Sequence, residues 1–60
     1  MPLTKNQLLA VRINLRNAYS ALREMRNATY KYDEQFAKRL QVILLLIEDE
    51  LHYLEVEIKK

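Results

Sequence analysis

Two runs of apolar residues at alternating spacings of three and four constrain this chain more than any other feature. The first is Leu8, Val11, Leu15, Ala18, Leu22, Met25 and Thr29; the second is Ala37, Leu40, Leu44, Ile47, Leu51, Leu54 and Ile58. Such spacing tracks the 3.6-residue turn of an α-helix and gathers the apolar side chains into one stripe. The two runs are out of phase. Carrying the first register onward would put Arg39, Glu50, Tyr53 and Glu57 on the stripe. A slip of one residue rotates a helical face by roughly 100°, so a break is expected between Tyr30 and Phe36.

Local signals agree with two helices. Thr4 followed by Gln7 reads as a capping box, and Leu3 with Leu8 as a hydrophobic staple, which starts the first helix at Lys5. Asp33 suits an N-cap and Glu34 a first turn, while Arg26 and Lys31 suit the end of the preceding helix. The expected layout is a single helical-hairpin domain over residues 1–60, with helix 1 at about 5–30, a turn at about 31–33 and helix 2 at about 34–58. No Gly or Pro marks the turn, so one continuous helix of about 55 residues is the alternative. The phase slip favours the hairpin.

Length then raises a difficulty. A domain of 60 residues buries only about 60% of the surface its unfolded chain exposes. With no Cys and one His, disulfides are excluded and a structural zinc site is not expected, which leaves oligomerisation as the usual supplement. The second helix carries a further apolar stripe away from its seam, namely Val42, Ile43, Leu46, Tyr53 and Val56. A wet patch of that size is a binding or aggregation site. The first helix offers a flank of small residues, Ala10, Asn14, Ala21 and Ala28, where a neighbour can approach closely. The expected fold class is all-α: an antiparallel helical hairpin dimerising into a four-helix bundle, with Val42, Ile43, Leu46, Tyr53, Val56, Ala21 and Ala28 at the oligomer interface.

Charge is distributed unevenly. Residues 1–32 hold six basic side chains against one acid, a net +5, and residues 33–60 hold four against seven, a net −3. In an antiparallel hairpin Arg12 shares a heptad flank with Glu48 and Glu55, which predicts an interhelical charge zipper, with Arg12 and Arg16 level with His52 and Glu48. Glu34 with Lys38 and Glu55 with Lys59 are i,i+4 pairs in the better orientation. Near the turn, Tyr19, Arg23, Arg26, Tyr30 and Lys38 form a basic strip with interleaved aromatics. Such a strip is a candidate contact for an anion or a nucleic acid. It equally suits plain structural work, because cations complement a helix C-terminus and Tyr covers bundle ends.

Catalytic and metal signatures are lacking. Asp49 and His52 make a D-x-x-H step loosely like the ligand step of di-iron bundles, but Glu24, the lone acid of helix 1, is expected some 12 residues of helix away, roughly 18 Å. There is no thiol nucleophile, no Gly for a phosphate-cradling loop, and no His within reach of Ser20. No catalytic residue, cofactor or metal site is therefore expected. The longest apolar run, Val42 to Ile47, is far short of the roughly 20 residues of a membrane span, and no leader opens the chain. The sequence reads as a soluble, cytoplasmic, non-enzymatic regulator or adaptor. Its expected partners are a second copy of itself and a larger protein, with RNA or DNA the alternative and no membrane.

Overall fold

In a computed structural model that describes residues 3–60, two α-helices, α1 (Lys5–Thr29) and α2 (Glu34–Lys59), pack side by side as an antiparallel hairpin. The capping box is formed. Gln7 N–H donates to Thr4 Oγ1 at 3.2 Å and Thr4 N–H to Gln7 Oε1 at 2.9 Å, with Leu3 half-buried and Leu8 buried at the staple positions. These bonds satisfy two of the four amide donors that a helix start leaves without intrahelical partners.

The turn closes without glycine because it needs no left-handed residue: among the described residues no backbone φ is positive. Tyr30 keeps helical geometry, and the amides of Tyr32 and Asp33 both donate to the Thr29 carbonyl, at 2.9 and 2.8 Å. Asp33 then takes an extended conformation and its carboxylate accepts from Phe36 N–H at 3.0 Å, capping α2. A short polar residue that can cap is what this position requires. The break falls within the window set by the phase slip.

The seam of α2 is the one its spacing predicts. Ala37, Leu40, Leu44 and Leu54 are buried, and Ile47, Leu51 and Ile58 are half-buried. The seam of α1 differs. Leu8, Leu15, Leu22 and Thr29 point inward, but Val11, Ala18 and Met25 are exposed, and Arg12, Tyr19 and Arg26 are half-buried in their place. The helix is thus turned by about 50° from the expected orientation. The reason lies in α2, which presents Gln41, Glu48 and Glu55 along one edge, acceptors that Val, Ala and Met cannot use. Arg and Tyr can cover the seam with their stems while their polar tips reach those acceptors.

The hairpin is a rod of 42 × 15 × 15 Å. Its radius of gyration is 13.8 Å, against about 10 Å for a compact chain of this length. Its accessible surface is 4840 Å², against about 4,100 Å² for a compact monomer of this mass. Two layers of helix cannot enclose a core, so the apolar content of the sequence has nowhere inside to go. Among the described residues only Leu8, Ala37, Leu40, Leu44 and Leu54 are buried, while Val11, Ile13, Met25, Phe36, Leu45 and others as large stay wet.

Candidate functional site

Two surfaces on this rod carry chemistry, a polar edge and an apolar face. The polar edge runs along one side of the seam. Arg12 Nη1 donates to Glu55 Oε1 at 2.9 Å and Arg16 Nη2 to the same oxygen at 3.3 Å. Tyr19 Oη donates to Glu48 Oε1 at 2.6 Å, and Arg26 Nη1 donates to Gln41 Oε1. The charge zipper is therefore formed. Its register differs from expectation, because both arginines converge on Glu55 rather than lying level with Glu48 and His52. The expected pair of Glu55 with Lys59 is not formed; the C-terminal pair is instead Lys60 with Glu57, at 3.0 Å.

Protonation follows these bonds. The hydrogen bond from Arg12 holds the Glu55 carboxyl below the usual carboxylate range; desolvation opposes it, and the charges of Arg12 and Arg16 add to the lowering. Donation to Glu48 pushes the Tyr19 hydroxyl above its ordinary value, since losing the proton would leave two anions face to face. One cost is visible. The Arg12 Nε lies buried and unpartnered, because the side chain crosses the seam to place its tip on Glu55.

The basic strip near the turn is only partly assembled. Arg26, Tyr30 and Lys38 line a shallow cavity of about 380 Å³ together with Asn27, Ala37 and Gln41. Tyr19 and Arg26 are drawn to the seam, where their polar tips are engaged by Glu48 and Gln41. Lys38 pairs with Glu34 at 3.5 Å, as the i,i+4 spacing predicts. Arg23 is exposed. His52 is exposed on α2, and among the described residues no group of three or more His, Cys, Asp or Glu is close enough to hold a metal ion.

The apolar face is the larger feature. Val42, Ile43, Leu46, Tyr53 and Val56 are all exposed, Leu46 at 59%, as are Ala21 and Ala28 on α1. The rotation of α1 enlarges this face by leaving Val11 and Met25 outside the seam. Four further exposed residues, Ile13, Tyr32, Phe36 and Leu45, belong to no stripe recognised in the sequence. For Phe36 a signal existed: it stands seven residues before Ile43 and 14 before Glu50, hence on one helical line with them. No described helix is long and apolar enough to cross a membrane.

A two-helix hairpin with an open apolar face is the class of molecule that the geometry defines. No family model, curated protein or solved structure matches the chain.

Proposed function

We propose that the protein is a small non-enzymatic regulator or adaptor that works through protein-protein interaction as a homodimeric four-helix bundle. The observation that supports this reading is the unburied apolar surface of α2, centred on Leu46. Burying a large aliphatic side chain gains roughly 1.5 to 3 kcal/mol, and a two-fold dimer would gain that amount twice for each residue it covers. The remaining polar surface, including the turn, would then be free to dock on a larger protein. Sedimentation equilibrium over a wide concentration range tests the assembly: the expected mass is twice that of the 7.2 kDa chain. A well-folded monomer at micromolar concentration would contradict it.

A second reading, RNA or DNA binding, is favoured by one observation, the cavity where Arg26, Tyr30 and Lys38 meet near exposed Arg23. A cationic groove with an aromatic wall suits phosphates and unpaired bases. Binding to a structured RNA at low salt should be micromolar or tighter and should weaken steeply as salt rises. The double variant Arg23→Glu, Lys38→Glu, at two exposed positions outside the seam, should lose it while keeping its helical circular dichroism. Indifference of the wild-type protein to RNA and DNA at low salt would remove this reading.

A further inference from the structure

Carrying the register of α1 across the turn picks out Phe36, Arg39, Ile43, Leu46, Glu50 and Tyr53, every one of them exposed in the hairpin, before it reaches Glu57, which is half-buried and paired with Lys60. Their spacing alternates three and four throughout, so they form a second complete seam on α2, on the face away from Leu40 and Leu44. Its order is a palindrome of chemistry. An apolar pair sits at the centre, a cation and an acid lie one step out on opposite sides, and an aromatic ring stands at each end.

In an antiparallel helix pair, each position of one heptad line meets the other line of its neighbour, in layers. If the two-fold axis passes between Ile43 and Leu46, Ile43 layers with the partner's Leu46, Arg39 with the partner's Glu50, and Phe36 with the partner's Tyr53. Each contact then occurs twice, as a two-fold interface demands. Neither Arg39 nor Glu50 forms an ion pair among the described residues of its own chain. The two stand about 16 Å apart along α2, too far to pair with each other. Their complementarity is therefore available only to a second molecule.

The rotation of α1 is consistent with the same axis. It turns Val11, Ala18 and Met25 out of the seam, towards the side of the hairpin opposite the polar edge, where α2 carries Phe36 and Ile43. On that side Ala18 and Ala21 lie within about one helical turn of the level of Ile43 and Leu46, since Tyr19 bonds Glu48 and the helix ends Thr29 and Glu34 flank the turn. Small side chains there let the two α1 helices approach as the α2 helices close.

We infer that two copies of this chain associate through an antiparallel pairing of α2 on α2, with the two-fold axis between Ile43 and Leu46 and Arg39 of each copy on the partner's Glu50. The inference rests on the homodimer proposed above and specifies its face and register. Arg39→Glu alone and Glu50→Arg alone each set like charges opposite one another at two places per dimer. Each should weaken dimerisation at least about tenfold. The double variant Arg39→Glu, Glu50→Arg restores opposite charges, and its dimerisation should return to within about threefold of the wild type. Both residues are exposed and outside the intrachain seam, so helical circular dichroism at high concentration reports that all three variants fold.

A second measurement is independent of charge. The chain has no Cys, so in an oxidised equimolar mixture of Ile43→Cys and Leu46→Cys proteins the mixed disulfide dimer should clearly exceed the sum of the two self-linked dimers, to which random pairing would make it equal. A wild-type dimer that both single reversals weaken without rescue, or that neither weakens, overturns the register and leaves the homodimer standing. A wild-type chain that stays monomeric and folded overturns both.

Discussion

Leu44→Ala is expected to remove about 2 to 5 kcal/mol of stability, the usual range for truncating a buried leucine to alanine. Leu44 is 1% exposed, the largest of the fully buried side chains, and stands in the middle of the seam. Total stability at roughly 0.05 to 0.15 kcal/mol per residue comes to only about 3 to 9 kcal/mol for a chain this short. The variant should therefore be largely unfolded at concentrations where the wild type is folded. The adjacent substitution Leu45→Ala is the control. Leu45 is half exposed, its helix propensity is close to that of alanine, and its truncation should change stability by about 0.5 kcal/mol or less. Urea titrations of both variants, followed by circular dichroism at equal concentration, make the comparison. Coincident midpoints for Leu44→Ala and Leu45→Ala would mean that the seam described here is not the one that holds the hairpin.

That contrast between neighbours was legible in the sequence because α2 obeys a simple rule. Its fully buried positions are all Ala or Leu, so apolar spacing alone identifies which line turns inward. The turn was legible for a related reason: a phase slip, a capping aspartate and an acid behind it coincide at Asp33 and Glu34. In α1 the same rule misjudges one line in two. Leu8, Leu15 and Leu22 face inward, but Val11 and Met25 lose their places to Arg12, Tyr19 and Arg26, whose long stems are as apolar as the residues they displace. Counting Arg as polar hides that property. What decides the rotation is the sequence of the other helix, where Gln41, Glu48 and Glu55 form an acceptor line that only long donors reach. A pattern confined to one helix holds no record of what stands across from it.

The candidate surfaces divide along the same boundary. The stripe from Val42 to Val56 could be read from α2 by itself, and the structure leaves it exposed. The basic strip required knowing where Arg26 and Tyr19 point, and two of its five members are engaged along the polar edge with Gln41 and Glu48. The outer seam of Phe36, Arg39, Ile43, Leu46, Glu50 and Tyr53 contains two charges, so a search for apolar runs divides it into fragments. It becomes visible once α1 is seen to leave that side of the hairpin open.

Leu46→Glu should have the largest effect on assembly, because it changes nothing inside the hairpin. Leucine and glutamate have similar helix propensities, and Leu46 lies outside the intrachain seam, 59% exposed. In the proposed dimer it stands beside the two-fold axis, so one substitution places two carboxylates within a turn of each other in a dry layer. Two buried leucines are lost, roughly 3 kcal/mol or more, a factor above about a hundred in the dissociation constant before any charge is counted. Desolvation of the two carboxylates then adds to the cost, and the nearest cation, Arg39 one layer out, is already matched by Glu50. The expected result is a chain that sediments as a monomer at every accessible concentration and has lost much of its helical signal. A hairpin with so little enclosed surface is marginal without its partner. Ultracentrifugation paired with circular dichroism reads both quantities. A Leu46→Glu protein that remains dimeric would place the assembly surface elsewhere on the rod, and a stable helical monomer would show that the seam along Leu40, Leu44 and Leu54 suffices alone.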